Sequence, residues 1–179
     1  MKRVIFLILL AVIGVAKVSA QEVDLSQENS KDARIEELSQ EVKELSQKLE
    51  ELQRDYAYLD CYATLSECIQ DLKILYNDIY VNTRGVENSM FHVPFDIGLY
   101  DAYCDYYEHT EELIENHEET IDALKAKVEA AISRYDFLYL DINVLNSAIK
   151  ALDKQLSRVK IASGYYNSVL DLYKKKSKY

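Results

Sequence analysis

Four potential metal ligands lie at helical spacing near the middle of the chain. Asp101, Asp105, His109 and Glu112 are separated by four, four and three residues, which places all four on one face of a helix. Carboxylates bind hard cations, and carboxylates combined with histidine also suit zinc. The sequence contains neither the Glu-x-x-His pair of di-iron bundles nor a His-x-x-x-His pair. Dense acidic residues on a helix usually form a solvated face, so we expect no metal site and no cofactor.

The three cysteines are the other reactive side chains. Cys61 and Cys68 are seven residues apart on a predicted helix, so their Cα atoms would lie about 10.5 Å apart. That distance is too long for a disulfide, and these two cysteines cannot pair with each other. Cys104 could reach at most one of them. A bridge from Cys104, a link between two chains and three buried free thiols all remain open.

Motifs that position catalytic groups are missing from this sequence. It contains no glycine-rich phosphate loop, no Gly-x-Ser-x-Gly elbow and no Cys–His arrangement of known family spacing. Long helices with narrow contact surfaces also rarely form the cleft that a catalytic site needs. We therefore expect that the protein is not an enzyme and that a small-molecule substrate is not its ligand.

A long apolar heptad run dominates the second half of the chain. We call residues 121–159 the C-terminal run. Its apolar positions alternate by three and four residues without interruption, and no Gly or Pro lies within it, which predicts a single helix about 60 Å long. These positions are Ile121, Leu124, Val128, Ala131, Tyr135, Leu138, Ile142, Leu145, Ile149, Leu152, Leu156 and Val159. Such a stripe needs a partner helix to cover it.

The first twenty residues have the pattern of a cleaved signal peptide. Lys2 and Arg3 precede the apolar segment 4–16, and Val18-Ser19-Ala20 provides a cleavage site of small residues. The alternative, a retained membrane anchor, is disfavoured because thirteen apolar residues are short for a bilayer and Lys17 ends them. We therefore predict a secreted or periplasmic protein whose mature chain has no transmembrane span.

Composition favours an acidic, helical mature protein. The chain of 179 residues has 31 acidic and 21 basic residues, four Gly and one Pro, which is typical of an all-helical protein. Cleavage after Ala20 removes three basic residues and changes the formal net charge from −10 to −13. A chain with this charge has no general attraction for nucleic acid or anionic lipid.

A second, narrower heptad series follows a polar leader at residues 21–30. We call it the N-terminal stripe, and it lies in a predicted coiled-coil arm over residues 31–82. Its apolar positions are Ile35, Leu38, Val42, Leu45, Leu49, Leu52, Tyr56 and Leu59, with polar residues almost everywhere between them. A stripe this narrow accommodates about one partner helix. The frame then slips by one residue and the apolar face widens, which predicts that residues 56–82 and 100–160 form a multi-helix body.

Residues 83–98 are predicted to be an apolar loop that connects the two arms. Gly85, Pro94 and Gly98 disfavour a helix across this segment. Phe91 and Phe95 are too apolar for a free loop, so the segment either folds back over the end of the bundle or forms a tip that binds a partner. We favour the first alternative.

Residues 99–179 are predicted to form a long C-terminal helical arm that includes a terminal helix. Ser133 and Asp136 resemble a capping pair and indicate a tight turn as an alternative to an unbroken helix. Ser163-Gly164 is expected to end or kink the helix. The sequence as a whole thus predicts an all-α fold, an elongated antiparallel helical hairpin or bundle built on coiled-coil heptads.

The N-terminal stripe needs a partner helix. Two candidates, the chain's own C-terminal arm and a second copy, can be compared by the charges of their flanks. The acidic flanks of the arm would be complemented by the basic C-terminal arm, with Lys150, Lys154, Arg158 and Lys160. A parallel pairing of two copies would instead bring similar acidic flanks together. We therefore expect the chain's own C-terminal arm to fill the stripe.

Two functions are compatible with these features, and a metal-binding helical bundle is kept as a third, less favoured one. The first is an exported coiled-coil structural or interaction protein of a bacterial-type cell envelope, since the composition is similar to that of small exported coiled-coil proteins there. The second is a periplasmic holdase or envelope adaptor that binds apolar clients through its Tyr-rich faces and the 90–97 tip. The interaction residues that these hypotheses propose are Leu45, Leu49, Leu52, Phe91 and Phe95. In both cases the partner is a protein or a second copy.

We predict that the precursor is cleaved after Ala20. The basic start, apolar segment and small-residue site together recruit signal peptidase. Intact mass spectrometry of the exported protein should find Gln21 as the first residue. Recovery of the exported chain with Met1 still attached would contradict the prediction.

Overall fold

The described part of the chain, residues 28–178 of a computed structural model, consists of three α-helices and contains no β-strand. Helix α1 comprises Glu28–His92, helix α2 Ile97–Arg134 and helix α3 Tyr139–Lys176. Internal contacts divide the chain into two units at Glu50–Glu51. The predicted all-α bundle is confirmed. The signal-peptide prediction for residues 1–20 and most of the predicted leader lie outside the described residues, and residues 28–30 of that leader are helical.

The second unit, from Glu51 onward, is a three-helix bundle in which α2 runs antiparallel to α1. Near one end of the bundle, Lys127 Nζ of α2 lies 2.9 Å from Asp60 Oδ2 of α1. At the other end, the hydroxyls of Ser89 in α1 and Tyr103 in α2 are 2.9 Å apart. An early residue of the α1 segment therefore meets a late residue of α2, as antiparallel packing requires.

Helix α3 also runs antiparallel to α2 and thus parallel to α1. Lys125 Nζ of α2 lies 2.7 Å from Asp153 Oδ1 of α3. Farther along, the Tyr166 hydroxyl donates to the Tyr103 carbonyl oxygen over 3.1 Å. These contacts place the two halves of the C-terminal run beside each other.

The core contains mainly the heptad positions of the three helices. In α1 the buried positions follow the spacing that the widened face predicts, and in α2 and α3 they follow the C-terminal run. The buried apolar residues are Cys61, Leu65, Cys68, Leu72, Leu75, Ile79, Val86, Ile114, Ile121, Leu124, Val128, Phe137, Leu145, Leu152, Val159, Tyr166, Val169, Leu170 and Tyr173. The prediction of a multi-helix body is therefore confirmed.

The C-terminal run is two helices, so the prediction of one helix is wrong. Helix α2 ends at Arg134 and α3 begins at Tyr139, near the alternative break predicted from Ser133. The cap residues Tyr135 and Leu138 both have extended backbone, and no side chain caps the start of α3. Asp136 therefore does not act as the predicted cap.

An aromatic cluster accounts for this reversal. Phe137 lies in the turn and is buried. Its ring centroid is 6.2 Å from that of Tyr58 and 6.0 Å from that of Tyr135. Reversal buries this ring and pairs the two halves of the apolar run, whereas a straight helix would leave both in water. Leu138, a predicted core position, is instead 64 % exposed.

The connection between α1 and α2 is shorter than predicted. The predicted loop 83–98 is helical up to His92 and again from Ile97, so only residues 93–96 lie outside the helices. Thr83 and Val86 are buried in the bundle, which favours continued helix across Gly85. Asp96 caps α2, because its Oδ1 accepts a hydrogen bond from the Leu99 backbone N–H over 3.0 Å.

Helix α3 continues through Ser163-Gly164, so of the two alternatives predicted there, the end of the helix is wrong. Ser163 is buried, and its hydroxyl donates to Glu111 Oε1 over 2.5 Å. The residues beyond it continue to contribute to the core, including Tyr166 and Tyr173. Packing of this last segment on α2 thus stabilises the helix beyond the glycine.

We predict that truncating a central core side chain destabilises the bundle strongly. Leu152 is fully buried, so Leu152→Ala should lower the free energy of unfolding by about 2–5 kcal/mol. Ile161 lies on the same helix and is 74 % exposed, so Ile161→Ala should change it by less than about 0.5 kcal/mol. Urea denaturation followed by circular dichroism measures both. Equal losses for the two variants would contradict the assigned core.

We also predict that alkaline pH destabilises the bundle through its buried tyrosines. Burial raises the pKa of Tyr106, Tyr107 and Tyr166. The Cys104 side chain, followed by burial, raises the pKa of Tyr100 to about 12. In the unfolded chain these phenols ionise near pH 10. Unfolding therefore releases protons between about pH 10 and 12, and stability falls across that range.

Urea midpoints measured on both sides of pH 10 test this. Tyr166→Phe removes one of the raised groups and should make the decline in stability less steep. The slope with pH is the quantity to compare, since the substitution also removes the hydrogen bond to Tyr103. Identical slopes for the two proteins would contradict the prediction.

Candidate interaction site

The N-terminal stripe is the most extensive exposed apolar feature along α1. Ile35 is 64 % exposed, Leu45 55 % and Leu52 67 %. Val42, Leu49, Tyr56 and Leu59 are exposed as well, and Leu38 is half-buried. These residues are helical, and the coiled-coil pairing of the arm stays a prediction. The stripe therefore remains largely accessible in the isolated chain.

Helix geometry explains why the end of the stripe does not join the bundle core. Within the second unit, Leu59 is exposed and Cys61, two residues later, is buried. Two residues correspond to a rotation of about 200° around an α-helix. The last stripe positions and the first core positions thus lie on opposite faces of α1. The sequence predicts a one-residue slip of the heptad frame at this point. In the structure, the first buried position is shifted by more than one residue.

The expectation that the C-terminal arm fills the N-terminal stripe stays a prediction, because stripe residues 35–50 belong to the other unit. The basic residues of α3 have other neighbours: the Arg158 guanidinium lies 4.7 Å above the Tyr76 ring, and Lys160 Nζ contacts Glu118. The reversal at residues 135–138, which charge counting did not include, directs α3 onto α2 and the second half of α1.

Polar side chains beside the stripe form local contacts along α1. Arg34 pairs with Glu37 one turn away, and Gln40 Nε2 donates to Glu44 Oε1 over 3.0 Å. Such exposed pairs contribute well under about 1 kcal/mol each. They can be exchanged for contacts with a partner at little cost.

The two predicted tip residues differ in their surroundings. Phe95 packs into the bundle end, with its ring centroid 5.9 Å from Tyr100 and 5.2 Å from Tyr173. Phe91 lies on α1 and is 74 % exposed. Phe95 thus takes the folded-back arrangement that we favoured, and only Phe91 presents an apolar ring to a partner.

The four potential metal ligands named from the sequence lie exposed on α2. These are Asp101, Asp105, His109 and Glu112, and His109 Nδ1 lies 3.9 Å from Glu112 Oε2. In residues 28–178, no three His, Cys, Asp or Glu side chains are grouped so that they could hold a metal ion. The arrangement is that of a solvated acidic face.

The cysteines contribute to packing. Cys61 and Cys68 are buried on α1, Cys104 is half-buried on α2, and all three are free thiols. Burial raises the pKa of Cys61 and of Cys68, which disfavours the reactive thiolate at neutral pH. The prediction that Cys61 and Cys68 do not pair agrees with this arrangement.

A groove between α1 and α3 was not predicted from the sequence. It has a volume of about 350 Å³ and is lined by aromatic and basic side chains, including Tyr76, Tyr80, Arg84, Arg158 and Tyr165. The heptad pattern assigns these residues no common position, because they belong to two helices that only the reversal makes neighbours. Predicting the groove would have required knowing that α1 and α3 pack side by side.

The charges in this groove largely satisfy one another. Glu87 lies 2.8 Å from Arg84 Nη1 and accepts a hydrogen bond from the Tyr165 hydroxyl over 2.8 Å. Tyr165 first, and Arg84 in addition, lower the pKa of Glu87. Arg158 donates to Gln155 Oε1 over 3.2 Å. The charged groups of the groove are therefore already paired within the protein, and its lining indicates no particular ligand.

Comparison with known proteins adds no assignment. No protein-family model, curated protein or solved structure significantly matches this chain. Among residues 28–178, no helix is both long enough and apolar enough to cross a membrane.

Proposed function

We propose that this chain is an exported, non-catalytic interaction protein of a bacterial-type cell envelope, which acts by helix–helix packing through the N-terminal stripe. The observation that carries the proposal is that apolar side chains recur at coiled-coil spacing along the stripe and are mostly exposed. Export is inferred from the pattern of residues 1–20.

The exposure of the stripe supports association with another helix. An exposed leucine that becomes fully buried contributes about 1.5–3 kcal/mol. Because Ile35, Leu45, Leu49 and Leu52 recur along one helix, a single partner helix would cover all of them together. The polar residues between them keep the stripe narrow, which favours a helical partner over a broad globular surface.

A second function, a holdase or adaptor for apolar clients, is favoured by a different observation. Several large apolar side chains outside the stripe are also exposed, among them Phe91, Tyr139 and Ile161. If this function holds, the protein should suppress aggregation of a chemically denatured model client. Suppression that persists when the stripe is disrupted would favour this alternative over the first.

We predict that Leu45→Asp combined with Leu49→Asp abolishes association but leaves the bundle folded. Burying two carboxylates in a helix–helix interface is unfavourable, and the lost leucine burial should weaken association by at least about 100-fold. The bundle should keep its unfolding midpoint, because neither side chain belongs to the core. Sedimentation velocity of the mature chain measures association, and circular dichroism measures folding.

A matched control introduces the same charge on another face of α1. Gln40 and Gln47 are exposed and lie outside the stripe positions, so Gln40→Asp combined with Gln47→Asp should leave association nearly unchanged. A photo-crosslinking residue placed at position 45 in the producing cell should give an adduct, while one at position 47 should not. Absence of an adduct from position 45, together with unchanged sedimentation of the leucine variant, would overturn the proposed function.

A further inference from the structure

The charges that flank the N-terminal stripe alternate in a regular way. The core positions of a two-helix coiled coil form two alternating sets, here the set that begins at Ile35 and the set that begins at Leu38. The residue before each member of the first set and the residue after each member of the second set lie beside the partner helix. The residues that precede Ile35, Val42, Leu49 and Tyr56 are Arg34, Glu41, Lys48 and Asp55. Those that follow Leu38, Leu45 and Leu52 are Ser39, Ser46 and Gln53. One flank therefore alternates in sign, and the other is neutral.

This alternation is complementary to itself in an antiparallel pair. When two copies align with Val42 opposite Leu45, Leu38 lies opposite Leu49 and Ile35 opposite Leu52, so the core layers formed by residues 35–52 are apolar. In antiparallel coiled coils the charged flanks face each other. Glu41 then lies beside Lys48 of the second copy, and Arg34 lies beside Asp55. Twofold symmetry repeats each contact, which gives four ion pairs of opposite charge.

Shifting the alignment by one heptad in either direction brings like charges together. One shift places Lys48 beside Lys48 of the second copy and Glu41 beside Asp55. The opposite shift places Glu41 beside Glu41 and Arg34 beside Lys48. Like charges at such positions are unfavourable. Charge therefore favours the register with Val42 opposite Leu45, whereas the first shift would also pair Tyr56 with Leu38 and Leu59 with Ile35 of the second copy.

A parallel pair gains nothing from these charges. In that orientation the charged flank of one helix faces the neutral flank of the other. Glu41 would lie opposite Ser46 of the second copy and Lys48 opposite Gln53. At the end of the stripe, Asp55 would lie opposite Asp60, which is unfavourable. Orientation is therefore also selected.

The side chains that this alignment needs are accessible. Glu41 and Lys48 are exposed, and neither forms an ion pair with any residue of the described part of the chain. Arg34 and Asp55 have exposed ion pairs with Glu37 and Arg54 on their own helix. Those pairs are weak enough to be exchanged for contacts with a second copy.

We propose that the N-terminal stripe binds the same stripe of a second copy in antiparallel orientation, with Val42 opposite Leu45 of that copy. This inference rests on the proposed function and names the partner of the same surface. The apolar layers of this pair run from Ile35 to Leu52 in each copy and end before Cys61, the first buried core position. The partner helix therefore uses a face of α1 that the bundle core does not occupy at that point.

Exchanging the charges at positions 41 and 48 tests the orientation and the register. Lys48→Glu alone, or Glu41→Lys alone, converts two attractive contacts into repulsive ones and should raise the dimer dissociation constant roughly tenfold. The double variant Glu41→Lys with Lys48→Glu restores opposite charges and should return the constant to within about threefold of the original. An equimolar mixture of the two single variants should form mixed dimers in preference to either homodimer.

Sedimentation equilibrium of the mature chain at low salt gives these constants, and about 1 M salt should reduce the differences by screening. Lys43→Glu is the matched control, because it makes the same change of charge on α1 outside the flanking positions. It should have little effect on the dissociation constant.

Three outcomes would overturn the antiparallel pairing: a double variant that is no tighter than the single variants, single variants that behave like Lys43→Glu, and a wild-type chain that stays monomeric at all concentrations. In each case the stripe can still be tested for another partner by the crosslink from position 45. Failure of the pairing is therefore distinct from failure of the proposed function.

Discussion

Packing of the two halves of the C-terminal run against each other and against α1 is the interaction on which the rest of the structure depends. A straight helix over residues 121–159 would present one unbroken apolar stripe to water. The reversal at residues 135–138 instead buries Leu124 and Leu152 in the same core as Leu72 of α1. Phe137 closes the end of the bundle against Tyr58 and Tyr135. Burial of apolar surface thus outweighs the intrinsic preference of an uninterrupted helical sequence.

One consequence is that the apolar stripes of α2 and α3 pack against the second half of α1. The N-terminal stripe is largely exposed. The face of α1 changes between Leu59 and Cys61, so the helix that contributes to the bundle also presents an apolar edge elsewhere. Because polar residues flank the N-terminal stripe closely, it accommodates about one additional helix. Both the proposed function and its antiparallel form arise from this division of α1 into two faces.

The heptad positions themselves could be predicted well from the sequence, because a stripe of apolar residues at spacing three and four marks the buried side of a helix. Ile121, Val128, Leu145 and Val159 are buried as expected. The reversal could not be predicted with the same certainty, because the apolar phase continues through the turn without Gly or Pro. Pairing two halves of one helix depends on tertiary contacts such as that of Phe137 with Tyr58, which spacing does not encode.

The errors at the other segments have related causes. Gly85 and Gly164 are weak helix breakers when buried neighbours stabilise the helix, as Val86 and Tyr166 do here. Charge matching between the C-terminal arm and the N-terminal stripe took the arm as one long helix, whereas it forms α2 and α3. Of the candidate site, the stripe residues Leu45, Leu49 and Leu52 could be identified from spacing. The α1–α3 groove could not, since its residues become neighbours only after α3 folds back.

The central claim is that the N-terminal stripe belongs to an interface that a single chain does not complete. Hydrogen exchange of the backbone amides, measured by mass spectrometry over a range of protein concentrations, tests it most directly. The account predicts that peptides covering residues 35–52 exchange rapidly in dilute solution and become protected as the concentration rises, while peptides covering residues 61–86 are protected throughout. Protection of residues 35–52 equal to that of residues 61–86 at the lowest concentration would contradict it, because the chain itself would then cover the stripe.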